Sequence, residues 1–111
     1  MTLEANAARV EDTIEVSAAG AALVVRVVGE LDAASRRTIE PALLGAIASA
    51  PRVVFDLGGV TFCDSTGIST FVAAHQKAEA ERKSLALRNV PASLRRLFDI
   101  TGVDRTLHLL E

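Results

Sequence analysis

The sequence of 111 residues contains no tryptophan or tyrosine, one cysteine and three prolines. A single cysteine cannot form an internal disulfide, and it excludes a metal site built from several thiolates. Because the only aromatic residues are four phenylalanines, no set of aromatic side chains for stacking on nucleic-acid bases is apparent. Half of the residues are nevertheless hydrophobic, so we expect a core built mainly from Val, Leu, Ile and Ala.

Neither sign of charge dominates, since 12 Lys and Arg residues face 14 Asp and Glu residues and the net charge is −2. The basic residues are scattered, so nucleic acid is not an expected partner. The longest apolar stretches, such as 21–28 with Arg26 inside, are far shorter than the roughly 20 residues of a membrane span. Residues 1–11 lack a basic start followed by an apolar run, so we expect no secretory signal. We therefore expect a cytoplasmic protein without a membrane partner.

The chain length suits a single domain with one core. We assign residues 1–12 to an N-terminal extension and 13–111 to the domain. Two β-rich runs, 13–18 and 22–28, flank Ala19-Gly20-Ala21, a spacing typical of a hairpin. The domain is thus predicted to begin with two antiparallel strands.

A helix and a buried strand are predicted after the hairpin. Asp32 is a candidate N-cap, and apolar residues follow at helical spacing. They are Ile39, Leu43, Leu44 and Ile47. Pro41 lies among them and is expected to kink the helix or delay its start. Since residues 52–57 form a continuous apolar strand, the order strand, helix, strand predicts a parallel pair with a right-handed crossover.

The remaining pattern continues the alternation of helix and strand. Residues 65 to about 82 have helical periodicity, and 84–88 are a short strand. Pro91 suits the first turn of a last helix that Gly102 can end. Residues 107–110 are a candidate edge strand. The predicted fold is α/β, with a mixed sheet of four to five strands, an N-terminal hairpin and helices packed mainly on one face.

Ser65 lies where a buried strand, followed by a glycine-broken loop, meets the start of a helix. The loops that leave the two parallel strands open at the same end of the sheet, where partners of α/β sheets usually bind. We therefore expect Asp32, Asp64 and Ser65 to lie on one surface. A serine at the positive end of a helix, without a base beside it, is better suited to receive a phosphate than to attack a substrate. Thr66 is the second-choice acceptor.

Other interpretations of these residues have less support. Ser65 could be a plain N-cap that contributes about 1 kcal/mol and has no other role. A serine at such a turn is similar to the GxSxG elbow of hydrolases, but Cys63 replaces the first glycine, and His75 lies about 15 Å along the helix. Cys63 is interpreted as an apolar filler, with a redox sensor as the alternative. Three aspartates raise the alternative of a cation site: Asp32, Asp56 and Asp64. We predict no enzyme activity, no metal and no cofactor.

Three stretches of the chain carry a family resemblance. They are Gly29-Glu30-Leu31-Asp32, residues 53–63 with the following Asp64-Ser65-Thr66-Gly67-Ile68, and Thr101-Gly102-Val103-Asp104-Arg105. On these residues the chain resembles anti-sigma-factor antagonists, the free-standing members of the bacterial STAS domain superfamily. The resemblance spans about residues 13–110. Thr66 is a mild departure, because the family often has serine there.

The resemblance implies a regulatory cycle. The unmodified antagonist binds an anti-sigma factor that is also an ATP-dependent serine kinase, and the sigma factor is released. The kinase then phosphorylates the serine matching Ser65, the antagonist dissociates, and a PP2C-type phosphatase restores it. The resemblance also implies a partner-binding surface: Asp32, Asp64, Ser65, Thr66, Gly67 and Ile68. We expect the free chain to be a monomer.

Two alternatives to this cycle remain. The chain could be a constitutive STAS subunit of an ABC transporter or of a sensory, stressosome-like assembly, and would then use the same end of the sheet. It could also be an unregulated scaffold in which Ser65 serves only as a cap. The Gly29–Asp32 stretch and the intact acceptor favour signalling.

Overall fold

One sheet and three helices make up the part of the chain that the structure, a computed structural model, describes: residues 8–11, 14–19, 22–102 and 107–110. In chain order the elements are β1 (Ala8–Glu11), β2 (Ile14–Ala19), β3 (Ala22–Leu31), α1 (Ala33–Ser49), β4 (Arg52–Cys63), α2 (Ser65–Ala80), β5 (Ser84–Arg88) and α3 (Ala92–Thr101). The strands keep this order across the sheet. β3, β4 and β5 are parallel, whereas β1 and β2 pair antiparallel. The three helices and the three parallel strands confirm the predicted α/β class.

The core lies between the parallel strands and the helices. Val25 of β3 is opposite Phe55 of β4, which is opposite Leu87 of β5, and all three are at most 1% exposed. α1 contributes three fully buried side chains with the predicted spacing: Ile39, Leu43 and Ile47. Each such side chain contributes about 1.5–3 kcal/mol through burial. The core therefore packs β3, β4 and β5 against the helices.

Phe71 connects α2 with the sheet and with α3. Its ring centroid lies 6.5 Å from that of Phe55, and 6.0 Å from that of Phe98 in an edge-on arrangement. Such edge-on pairs add to the hydrophobic stabilisation of aromatic side chains. The position of α2, and of the serine at its start, is thus fixed by the core.

β4 is longer than predicted, because it continues past Leu57 to Cys63. The predicted glycine-broken loop is therefore wrong. The register against β3 shifts twice, and each shift places one extra residue in β4. Such bulges let a strand bend without ending. Since β3 also continues to Leu31, a single residue, Asp32 or Asp64, separates each strand from the helix that follows.

The ends of the helices also test the predictions. α1 begins directly after Asp32 and continues through Pro41, so the predicted late start is wrong. α3 ends at Gly102, whose φ of 78° suits glycine, as predicted.

Residues 107–110 form a single parallel bridge, Leu109 with Leu87, in place of a strand. The predicted hairpin turn at 20–21 lies outside the described residues. In the described part of the chain, no helix combines the length and the apolar character of a membrane span.

Candidate functional site

The starts of α1 and α2 lie side by side at the C-terminal end of the parallel strands. Leu31 and Cys63, the last residues of β3 and β4, are opposite each other, and the Asp64 N–H donates to the Leu31 carbonyl at 3.2 Å. Asp32 and Asp64 follow these residues directly, and each caps its helix. The structure thus brings Asp32, Asp64 and Ser65 together.

The start of α1 is a closed capping box. The Ser35 N–H donates to Asp32 Oδ1 at 2.9 Å, and the Asp32 N–H donates to Ser35 Oγ at 3.0 Å. The Ser35 hydroxyl in turn donates to the Glu30 carbonyl at 2.7 Å. The Ser35 N–H is the main cause that lowers the pKa of Asp32, and it outweighs a weaker effect of desolvation. Sequence reasoning missed Ser35, although its place three residues after an N-cap aspartate was a visible signal.

The start of α2 has the same cap but presents its serine to solvent. Asp64 Oδ1 accepts from the Thr66 N–H at 2.9 Å and from the Gly67 N–H at 3.2 Å. Ser65 is the first helical residue and is exposed. Within the described residues its hydroxyl makes no hydrogen bond, and its carbonyl accepts from Ser69 Oγ. The interpretation of Ser65 as an N-cap is therefore wrong, because Asp64 holds that position.

Two N–H groups in the first turn of α2 that could receive a phosphate on Ser65 are already occupied. Asp64 accepts from Thr66 and Gly67, so a phosphate on Ser65 would lie beside a carboxylate that competes for the same donors. The carboxylate of Asp64 and a phosphate on the next residue repel each other, although the helix dipole favours both negative groups. The modified site would therefore carry unneutralised charge on its surface.

Gly67 and Ile68 are buried beneath this surface. A Cβ on Gly67 would lie 2.6 Å from Cys63 Sγ and 2.9 Å from the Leu31 carbonyl oxygen. Ile68 is only 5% exposed. Gly67 has no side chain and that of Ile68 is almost fully buried, and direct partner contact at these two residues stays a prediction. They hold the first turn of α2 against the ends of β3 and β4.

Cys63 has the environment of a structural thiol. It is half-buried, and its Sγ donates to the Asp64 carbonyl at 3.4 Å. Burial, and secondarily the charge of Asp64, raise the pKa of Cys63 to about 12. Redox-sensing thiols need the opposite shift. This environment supports the interpretation as a filler over that of a redox sensor.

Asp56 lies apart from the other aspartates. Seven residues of β4, 57–63, separate it from Asp64, roughly 25 Å of extended chain. It accepts hydrogen bonds from the Gly58 N–H, Arg88 Nε and Asn89 Nδ2. Burial alone would raise the pKa of Asp56, but these bonds and the Arg88 charge outweigh it and lower the pKa. Asp56 is thus held in a structural ion pair, and among the described residues no cluster of three potential metal ligands occurs.

The two histidines lie away from Ser65. His75 is partly buried ten residues along α2, with Nε2 3.2 Å from Glu79 Oε1. His108 is exposed, and its carbonyl accepts from the Leu87 N–H. The neighbour of Leu87 in β4 is Phe55, eight residues before Cys63. Neither can take a proton from the Ser65 hydroxyl.

The fold and the Ser65 turn define a class: an α/β domain with an exposed serine at the C-terminal end of parallel strands. The family model described as "Mlab, STAS domain" matches residues 14–111. The chain belongs to the STAS domain family, and within it to the anti-sigma factor antagonists. An anti-sigma-B factor antagonist of Bacillus subtilis is 33% identical over 79 residues, covering 71% of this chain and 72% of the relative.

Solved structures agree with this assignment. An anti-sigma factor antagonist from Mycobacterium paratuberculosis is 31% identical with a TM-score of 0.79, over 87% of this chain and 83% of that chain. Unphosphorylated SpoIIAA, an anti-sigma factor antagonist, has a TM-score of 0.71 over 88% of each chain. At 20% identity it shows the fold alone. The Bacillus subtilis and Mycobacterium paratuberculosis relatives are, by name, antagonists of anti-sigma factors.

Proposed function

We propose that the chain, while unphosphorylated, binds an anti-sigma factor of the ATP-dependent serine kinase type and thereby frees a sigma factor. Phosphorylation of Ser65 by that kinase ends the complex, and a PP2C-type phosphatase restores it. The observation that carries this proposal is the exposed Ser65 hydroxyl, which makes no hydrogen bond within the described chain. The neighbouring Asp64 cap already occupies the Thr66 and Gly67 N–H groups. We propose with this cycle that the chain is cytoplasmic and is a monomer when free.

The partner covers the Ser65 surface, which we define as Asp32, Asp64, Ser65 and Thr66. Phosphate adds about −1.5 to −2 charges, and burying them beside Asp64 in an interface costs several kcal/mol. A loss of about 4 kcal/mol lowers affinity roughly a thousandfold. A large conformational change is not required.

The fold is expected to survive the modification. Since the Ser65 hydroxyl makes no hydrogen bond in the described chain, a phosphate there breaks none. Asp64 keeps its two backbone donors when the phosphate points to solvent. The switch thus acts on binding and leaves stability nearly unchanged.

We propose further that the domain spans about 13–111 behind an N-terminal extension, 1–12. The complete sheet is then mixed, with the N-terminal hairpin beside β3. The antiparallel register of β2 on β3 supports this arrangement. The extension itself adds a strand to the sheet, because β1 (Ala8–Glu11) pairs with β2.

Intact-mass measurement after incubation with the candidate kinase and ATP tests the acceptor. We expect one phosphate on the wild type and none on Ser65→Ala. Ser69→Ala is the matched control, because Ser69 is exposed one turn along α2, and it should be modified normally. Thr66→Ala tests whether Thr66, the second-choice acceptor, receives the phosphate in place of Ser65. An unmodified wild type, with a kinase active on another substrate, contradicts the proposal and favours a constitutive subunit.

Calorimetry with the same partner tests the switch. Ser65→Ala should bind like the unmodified wild type, and Ser65→Asp more weakly. An aspartate carries less charge than phosphate, so we expect only part of the thousandfold loss. Equal affinities of the two variants would count against electrostatic switching.

A further inference from the structure

Two large hydrophobic side chains are exposed in the described part of the chain, and they line the same groove. Phe62 is 52% exposed and Ile100 is 74% exposed. The groove lies between the end of β4 and α3 and has a volume of about 410 Å³. Single exposed apolar residues are ordinary, whereas a contiguous apolar patch marks an interaction site.

The groove has an apolar floor and a positive rim. Val60 and Leu94 are buried at its base, at 8% and 3% exposure. Among the described residues, Arg96 is the charged residue that lines the groove. Arg95 and Asp99 are also exposed and line the neighbouring hollow with Arg96, so these three side chains together carry one net positive charge. The matching surface would combine apolar side chains with carboxylates.

The groove is continuous with the Ser65 surface. Cys63 lines the groove, and its thiol donates to the carbonyl of Asp64, the cap of α2. Phe62 precedes Asp64 by two residues in the same extended chain. A protein that covers Ser65 therefore reaches the groove without crossing another element.

We propose that the groove between β4 and α3 docks an apolar, acidic segment of the same partner that covers Ser65. This inference rests on the proposed function and adds a second anchor point to it. The positive rim selects this occupant over a second copy of the chain. A two-fold interface centred on the groove would bring the Arg95 and Arg96 side chains of both copies together.

Affinity measurements on groove variants test the inference. Ile100→Gln and Phe62→Thr remove exposed apolar groups, and each should weaken partner binding about tenfold or more. Arg96→Glu should weaken binding about tenfold and make it less sensitive to salt. Arg52→Glu is the matched control, because Arg52 is exposed at the opposite end of β4. Circular dichroism should show all four variants folded, since every replaced side chain is largely exposed.

The outcomes separate this inference from the proposed function. If the wild type is phosphorylated and binds, but the groove variants bind equally well, the groove inference is overturned alone. If the wild type neither binds nor is phosphorylated, both are overturned. A free dimer that Ile100→Gln dissociates, seen by sedimentation, would show a self-interface in place of the proposed contact. Binding to anionic vesicles that Arg96→Glu abolishes, without an effect on partner affinity, would assign the groove to lipid and overturn the inference.

Discussion

α1 and α2 both begin after an aspartate cap, but the serine in the first turn of each helix has a different environment. At α1, Ser35 is the third helical residue, and its hydroxyl and N–H both bond back to the turn. At α2, Ser65 is the first helical residue, and its hydroxyl faces solvent. A serine side chain thus stabilises the first turn of α1, whereas in the first turn of α2 a serine side chain is accessible to solvent.

The third helical position explains this difference. In α1 it holds Ser35, which completes the capping box. In α2 it holds Gly67, which lies so close to Leu31 and Cys63 that any side chain would collide. The first turn of α2 is therefore packed against the sheet at its third residue and exposed at its first. This close packing on the sheet side of the turn leaves Ser65 on the solvent side.

The largest predicted effect concerns the thiol of Cys63, the last residue of β4 before the start of α2. With the pKa of Cys63 raised to about 12, the thiolate fraction is about a thousandfold lower than for an ordinary thiol. Alkylation by iodoacetamide at pH 8 should slow accordingly in the folded chain. The control is the same chain in guanidinium chloride. Equal rates in both states would show a reactive thiol and contradict the interpretation of Cys63 as a buried filler.

Replacing Gly67 with Ala sharpens the packing argument. The new Cβ collides with Cys63 and Leu31, and we expect a loss of about 2–3 kcal/mol in the free energy of unfolding. Gly45→Ala is the matched control in α1, because nothing lies within 4 Å of its added Cβ. It should stabilise by about 0.5–1 kcal/mol. Denaturant titration measures both, and effects of the same sign would refute the close approach.

The two serines should differ in their contribution to stability. Ser35→Ala removes the capping-box bonds of α1 and should cost about 1–1.5 kcal/mol. Ser65→Ala removes no bond in the described chain and should change stability by less than about 0.5 kcal/mol. Denaturant titration of both variants checks this. A cost at Ser65 equal to that at Ser35 would make it a structural residue.

The smallest effect is the pH dependence of the α1 cap. Because the pKa of Asp32 is lowered in the folded state, its charged form adds stability above the unfolded value of about 3.9. That contribution is lost as the pH falls through the lower folded pKa. Comparing wild type with Asp32→Asn between pH 6 and 3 should show the difference shrinking with acid. A difference that grows with acid would contradict the hydrogen-bonded cap.

Much of this arrangement was predictable from the sequence. Apolar spacing located α1 and α2, and the strand, helix, strand order predicted that Asp32 and Asp64 would be neighbours. The extent of β4 was not predictable, because bulges let it pass Gly58 and Gly59, which read as a loop. Nor could the pattern show that Gly67 is buried or that Phe62 and Ile100 share a groove, since these depend on contacts between distant elements.

The central claim is that charge on the exposed Ser65 hydroxyl controls binding without altering the fold. The most direct measurement compares the affinity of the unphosphorylated and the Ser65-phosphorylated chain for the same anti-sigma factor, together with their unfolding midpoints. The account predicts an affinity roughly a thousandfold lower after phosphorylation, with nearly equal midpoints. Equal affinities, or a loss of binding that merely follows unfolding of the modified chain, would contradict it.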